Sequence, residues 1–326
     1  MNEPRSSATA FVTGITGQDG GYLTERLLAE GMAVHGLVHA RDQQARQLLS
    51  RCPDVVLHEG DLSDTVRTAA LIAELGPQEV YNLGGISSVG LSWQQPVLTA
   101  EVTGLGAAGV LQACWQLQEQ TGRPVRVLQA SSAEIFGNPD EVPQHELTAV
   151  RPSTPYGAAK AYAHQMTAIF RGRGLPASAV ILYNHESPRR PETFVTRKIT
   201  AAAARIAAGR QDSLSLGSLD VRRDWGWAPD YVDAMVRAVR HEQADDYIIA
   251  TGQSHTVGEF VAAAFERAGV ADWSRRVVID PAFARTGDAR EQRGDASKAR
   301  SVLGWAPSYG FREIVHAMVE ADLAAL

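Results

Sequence analysis

The stretch VTGITGQDGGYL (12–23) sets Gly14, Gly17 and Gly20 at G-x-x-G-x-x-G spacing, between a β-branched run, AFVTG (10–14), and a helix-like one, YLTERLLAEG (22–31). In a strand–loop–helix context the first glycine permits the tight turn, the second lets a pyrophosphate approach backbone, and the third lets helix and strand pack closely. The helix start then offers unpaired N–H groups and a positive dipole end to phosphates. A chain carrying this unit is committed to βα architecture and to a dinucleotide.

The alternation continues. AVHGLVH (33–39), VVLHEGDL (55–62), EVYNLGG (79–85), RVLQASS (126–132) and ASAVILYN (177–184) read as strands. Between them 64–76, 104–122 and 156–174 carry helical spacing. Strands and helices in this order predict right-handed crossovers and an α/β fold, a Rossmann-type doubly wound parallel sheet covered by helices on both faces. After about residue 185 longer loops and scattered helices such as 196–209 take over. The division expected is a dinucleotide-binding domain over 1–184 and a smaller substrate-binding lobe over 185–326, with some of its segments returning to the main sheet.

Composition narrows the partners. A net charge of −6 over 326 residues speaks against a nucleic-acid binder. Positive charge nevertheless concentrates in PRRPETFVTRK (188–198) and VRR (221–223), which suits either a small phosphorylated ligand or a solvated face. No apolar run is expected to reach the ~18–20 residues of a membrane span, and MNEPRSSATA lacks the pattern of a secretion signal. Cys52 and Cys114 lie far apart with no metal-ligand spacing, so no metal site is expected and a reducing cytoplasm is the expected compartment.

An acidic residue closing the second strand would take the ribose hydroxyls of NAD. Here GLVHARD (36–42) offers His39 and Arg41 before Asp42, so NADP is expected, with NAD still possible. Asp61, after the third strand, either reaches the adenine amino group or caps the following helix.

YGAAK puts Tyr156 and Lys160 on one helix face. A tyrosine titrating near ~10 is a poor base at neutral pH; an ammonium beside it stabilises the phenolate and makes it usable. Ser132 ends the preceding strand, and Glu134 follows it. A simple reductase needs one proton donor, which the tyrosine supplies; a carboxylate beside the serine implies a second proton transfer at a neighbouring carbon, unless it is only an exposed strand-end residue.

Glycine loop, serine and Tyr-x-x-x-Lys together resemble the extended short-chain dehydrogenase/reductase superfamily. VTGITGQDGGYL, VYNLGG, QASSAEIFG, STPYGAAKAYA, NHESPRRPETFVTRKIT, LGSLDVRRDWGWAPDYVDAM, DYIIATGQSHTVGEF and GDASKARSVLGWAP, in this order, resemble GDP-mannose 4,6-dehydratases over nearly the whole chain. The resemblance implies conversion of GDP-mannose, or a related nucleotide sugar, by transient oxidation at C4, loss of water across C5–C6 and hydride return to C6. It implies catalytic roles for Ser132, Glu134, Tyr156 and Lys160. Cofactor contacts would come from Gly14, Thr16, Gly17, Gln18, Asp19, Gly20, Arg41, Asp61, Leu62, Leu83, Gly84, Tyr156, Lys160, His185 and Arg190. Substrate contacts would come from Ser87, Glu134, Asn184, Val195, Lys198, Gly217, Arg223, Arg285 and Asp288, with Lys198 and Arg223 neutralising the diphosphate. It also implies a homodimer or homotetramer. The chain departs from the family's usual pattern at Ala133, His39, Ala40, Ile86, Ser88, Leu98 and Pro191. Those departures leave open a different hexose, a 5,6-dehydration, a 4-reductase or an epimerase. A dinucleotide-binding protein without catalysis is the reading that intact Tyr156 and Lys160 argue against.

Overall fold

The computed structural model describes residues 8–283 and 289–326. Its strands are β1 (Thr9–Thr13), β2 (Ala33–Val38), β3 (Val56–Glu59), β4 (Glu79–Asn82), β5 (Arg126–Ser132), β6 (Ala177–Leu182), β7 (Asn184–Glu186), β8 (Leu214–Leu216), β9 (Arg222–Trp227), β10 (Asp246–Ile249), β11 (Ser254–Thr256), β12 (Val277–Ile279) and β13 (Glu291–Gln292). The main sheet runs β10-β6-β5-β4-β1-β2-β3, with parallel ladders joining β3, β2, β1, β4 and β5. Strand order reverses between β1 and β4, the switch point at which α/β folds bind ligands beyond the carboxyl ends of the strands.

Helices α1 (Gln18–Ala29), α2 (Gln43–Arg51), α3 (Thr65–Leu75), α4 (Val89–Gln94), α5 (Pro96–Thr99), α6 (Gly106–Thr121) and α7 (Pro155–Gly172) follow the first strands. Their limits have local causes. Asp64 caps α3 by accepting from Arg67 N–H, and Gly76 closes that helix in the left-handed region. Thr154 caps α7 by accepting from Gly157 N–H, with Pro155 at the first helical position. Phe11, Ile72, Val80, Val110, Leu111 and Val127 form the core between sheet and helices.

The helix expected from residue 104 starts earlier. Pro96 opens it, and a π-turn, Ala100–Leu105, joins α5 to α6. The helical stretch Pro96–Thr121 is long and apolar enough, by length and composition, to cross a membrane, which corrects the expectation that no run approaches that length. Half of its apolar window is buried inside the fold, where it packs on α3 and α7.

The chain divides into two units. The first comprises residues 1–137, 150–181 and 232–247; the second comprises 138–149, 182–231 and 248–326. Compared with the division expected at 184/185, segment 232–247, with most of helix α9 (Ala228–Arg240), joins the first unit, and 138–149 joins the second. The second unit is built on α8 (Val195–Ala207), α10 (Val257–Arg267), α11 (Ser297–Leu303) and α12 (Phe311–Ala324). Ile199, Trp225, Phe260, Phe265, Ile314 and Met318 belong to its core.

Candidate active site

The glycine loop has the geometry a pyrophosphate needs. Gly14 sits at φ +65°, where a Cβ would stand 2.8 Å from the Gly84 nitrogen; a side chain would both strain the turn and close the approach. A Cβ on Gly20 would run into the Gly14 carbonyl and the Ile15 backbone. Gly17, the N-cap of α1, brings no side-chain acceptor to the first N–H groups of that helix. Thr16 and Asp19 are half-buried and Gln18 is buried at the same turn. Leu62 and Thr13 lie against Gly84, beside Leu83, so the loops after β1, β3 and β4 meet over one place. These residues fit a dinucleotide.

The cation expected at the adenosine ribose is engaged in this structure. Arg41 donates to the Leu57 carbonyl at 3.1 Å and pairs with Glu59 at 3.1 Å. Asp42 caps α2 through Ala45 N–H. Asp61 is not the cap of α3, which is Asp64. It accepts instead from Ser63 N–H at 2.8 Å and Ser63 Oγ at 2.7 Å, and those bonds hold its carboxyl below the usual range. His39 Nδ1 lies 3.4 Å from it.

Four catalytic candidates gather in the first unit. Beyond β5 the chain makes a 3-10 turn, Ala133–Phe136, whose cap is Ser132: its Oγ accepts from Glu134 N–H at 3.2 Å. Gly157, next to Tyr156 in the first turn of α7, lies so close that a Cβ would come 2.5 Å from the Glu134 carbonyl. One turn further, buried Lys160 donates from Nζ to the Ala130 carbonyl at 2.8 Å and stands 6.0 Å from the Tyr156 ring centroid. Burial pushes the Lys160 ammonium down to about 8, with Asp19 opposing. Ser131 Oγ is buried with no hydrogen-bond partner among the described residues, an orphan that a bound ligand would satisfy.

In the second unit, Asn184 opens β7 opposite Trp225 of β9. Buried His185 is held by the Tyr183 carbonyl at 2.8 Å and stacks on Tyr231. Arg190 lies over the Phe194 ring and 3.4 Å from Glu186. Val195 is exposed at the start of α8, and half-buried Gly217 follows β8. Lys198 Nζ donates to Ser215 O at 2.7 Å and lies 3.8 Å from the Phe283 ring centroid. Arg223, buried, donates to the carbonyls of Arg222 and Ala289, each at 2.8 Å. Arg285 and Asp288 lie outside the described residues; Phe283 and Ala289, which flank that gap, are the ones touched by Lys198 and Arg223. Ser87 is exposed just after Ile86, whose N–H donates to Thr103 Oγ1 of the π-turn at 3.0 Å.

A family model described as GDP-mannose 4,6 dehydratase matches residues 11–318. The chain belongs to the GDP-mannose 4,6-dehydratase family. It is 44% identical to GDP-mannose 4,6 dehydratase 1 of Arabidopsis thaliana over 324 residues, covering 96% of this chain and 89% of that protein. It is 39% identical to the GDP-mannose 4,6 dehydratase of Homo sapiens over 352 residues, covering 99% and 93%. Among solved structures it is similar to the UDP-glucose 4-epimerase of Thermus thermophilus in complex with NAD, with a TM-score of 0.84, 27% identity and coverage of 98% and 100%. The expected resemblance, the nucleotide-sugar dehydratase class and the Rossmann-type fold are therefore shown.

Sequence reasoning missed a buried polar row beside these residues. Thr13, Asn82 and Gln129 stand level on β1, β4 and β5, Thr13 opposite Asn82 and Asn82 opposite Gln129. Gly84 N–H donates to Thr13 Oγ1 at 2.9 Å, and that hydroxyl donates to Asn82 Oδ1 at 2.6 Å. Asn82 Nδ2 donates to Gln129 Oε1 at 2.7 Å, and Gln129 Nε2 donates to the Ala130 carbonyl at 2.9 Å. The signal was present: FVT (11–13), VYN (80–82) and VLQ (127–129) each end an apolar run on a polar residue.

Proposed function

We propose that the protein converts GDP-mannose to GDP-4-keto-6-deoxymannose without net redox change, on NADP that stays bound from one turnover to the next. The observation that carries this reading is the place of Glu134, on a turn capped by Ser132 and packed against the first turn of α7 beside Tyr156. In the reaction Tyr156 as phenolate takes the C4 hydroxyl proton, Ser132 hydrogen-bonds the C4 oxygen, and Lys160 keeps a positive charge near the phenolate. The nicotinamide, when bound, supplies hydride chemistry, accepting at C4 and returning at C6. The 4-ketone acidifies the C5 proton, which Glu134 takes and passes to the departing C6 hydroxyl. Tyr156 then returns its proton to C5, so that one water leaves and both groups are reset.

NADP rather than NAD is supported by the absence of a carboxylate at the end of β2, where His39, Ala40 and Arg41 stand. Arg41 would exchange Glu59 for the 2′-phosphate. Lys198 and Arg223 are the cations offered to the diphosphate. The reading includes a reducing cytoplasm, supported by Cys52 and Cys114 being buried thiols that form no disulfide among the described residues. It also includes a homodimer or homotetramer, supported by exposed Leu91, Trp93, Val97 and Leu105 on the 89–121 stretch and by Tyr162 and Ile169 on α7; light scattering of the purified protein tests this.

The deciding experiment incubates purified protein with GDP-mannose, without added cofactor, and follows mass. Loss of one water is the expected result. Turnover of another nucleotide sugar, with GDP-mannose untouched, would overturn the substrate and leave the mechanism. A Glu134→Gln variant should retain hydride exchange at C4 and lose elimination by a factor of roughly 10²–10⁴; full dehydration by that variant would remove Glu134 from the scheme.

A further inference from the structure

We propose that Gln129 is a positioning residue for Lys160, held in its working orientation by Asn82 and Thr13. The proposal rests on Tyr156 and Lys160 acting as the base pair of the reaction, and it adds the device that sets the lysine.

A side-chain amide can face a neighbour with either end. In this row every orientation is dictated from one terminus. The Gly84 N–H can only donate, so the Thr13 oxygen accepts and its proton goes to Asn82 Oδ1. Asn82 must then present its NH₂ to Gln129, and Gln129 must present its own NH₂ to the Ala130 carbonyl. That carbonyl is the acceptor for Lys160 Nζ. The β4 ladder ends at the Asn82–Gln129 pair, so Ala130 lies one residue beyond it. The amide and the ammonium therefore share one oxygen. The same peptide leads into Ser131 and Ser132, so fixing its plane fixes the serine end of the site as well.

Two consequences follow. The bonds run one way from the loop that carries Gly84 to the Ala130 carbonyl, where the Lys160 bond meets them from the other side, and aligned bonds within the row polarise one another. The positive end of the Gln129 amide dipole also faces the oxygen that holds the ammonium, which disfavours the charged lysine. The titratable groups that face Lys160 are Asp19 from α1 and Tyr156 from α7. Asp19 opposes the amide by favouring the ammonium. Gln129 thereby sets how far into the alkaline range the phenolate keeps its partner.

The chain has three lysines, Lys160, Lys198 and Lys298, so protein labelled with ¹³Cε-lysine gives a resolvable NMR titration that needs no substrate. In Gln129→Leu the Lys160 resonance should titrate roughly half to one pH unit higher, and in Gln129→Glu higher still. Lys198 should be unmoved in both. The alkaline edge of turnover should move up with Lys160, with KM for the nucleotide sugar changed less than about twofold. If both variants fold with lowered melting temperature and an unmoved Lys160 titration, Gln129 is packing only and the proposal falls. If neither folds, Thr13→Val decides. A smaller upward shift there supports the row, and an unmoved Lys160 overturns it. Because the titration reads the lysine directly, failure of the dehydratase reading would show in the mass experiment and leave this result standing.

Discussion

Lys160 and Lys198 make the same bond, each donating from Nζ to one backbone carbonyl, of Ala130 at 2.8 Å and of Ser215 at 2.7 Å. Their surroundings differ. Lys160 is buried and its carbonyl is shared with the Gln129 amide. Lys198 is half-buried, lies over the Phe283 ring, and bonds a carbonyl on β8, which pairs with β12. Burial lowers both ammonium groups, opposed by Asp19 at Lys160 and by Asp280 at Lys198. A buried lysine locked to a wired peptide can tune a neighbour but cannot travel to a ligand. A half-exposed one on a flexible stem can leave its carbonyl and meet a phosphate. On the proposed mechanism, identical local bonds would serve proton chemistry in one unit and charge neutralisation in the other.

Replacing each by methionine should separate these jobs. Lys160→Met removes the charge that, on the proposed mechanism, makes Tyr156 a base, and turnover should fall by roughly 10²–10⁴ with KM little changed. Lys198→Met removes a charge-assisted contact of about 1.5–3 kcal/mol, so KM for the nucleotide sugar should rise about ten- to hundredfold with kcat within a few-fold. Steady-state kinetics on both variants checks the pair. A loss confined to kcat in Lys198→Met would erase the distinction.

A pH series sharpens it. With Lys160 at about 8, turnover should decline as pH rises through that value, because the phenolate loses its ammonium. Stability should move the other way. In the unfolded chain the lysine titrates at its ordinary 10.5. Between about 8 and that value the unfolded state holds a proton the native state has released, and stability rises with pH wherever the unfolded state binds more protons. Below about 8 both states carry the charge and its burial penalty is constant. Denaturant midpoints below and above this window should show the rise in the parent and lose it in Lys160→Met.

How much of this was legible depended on whether a feature is local. The glycine loop, the strand–helix alternation and the Ser132, Glu134, Tyr156 and Lys160 group lie in short motifs, and the sheet brings them together as β5, its 3-10 turn and α7. The cap of α3 was not decided, because Asp61 and Asp64 both precede the helix and only the turn through Ser63 assigns the cap to Asp64. Of the Thr13–Asn82–Gln129 row only the three polar residues closing apolar runs were legible; their bonding was not, because it exists only once β1, β4 and β5 are in register. The early start at Pro96 was missed because the π-turn breaks the helical period there. Side-chain engagement is the least legible feature: Arg41, Lys198 and Arg223 are free cations in a sequence, whereas in the fold each holds a backbone carbonyl.

The smallest effect worth measuring compares two helix caps. Thr154 caps α7 through Gly157 N–H at 2.9 Å, and Thr256 caps α10 through Glu259 N–H at 3.0 Å, with the Glu259 side chain returning to Thr256 N–H at 2.7 Å. Alanine at either should cost about 1 kcal/mol, since each removes one side-chain acceptor from a helix start. Their consequences for activity should nevertheless part. Thr154 is two residues from Tyr156, and the bond it makes is to the residue whose backbone meets the Glu134 carbonyl. Fraying of that turn would displace Tyr156, the proposed general base, relative to Glu134, and misplacement of a reacting group by about 1 Å can cost on the order of a hundredfold. Thr256 opens α10, which packs on α8 and α12 in the core of the second unit. Thermal denaturation should therefore give similar losses for Thr154→Ala and Thr256→Ala, while kcat falls several-fold in the first and stays at the parent value in the second. Equal kcat in two equally destabilised variants would mean that the first turn of α7 is held by packing on the 3-10 turn and owes nothing to its cap.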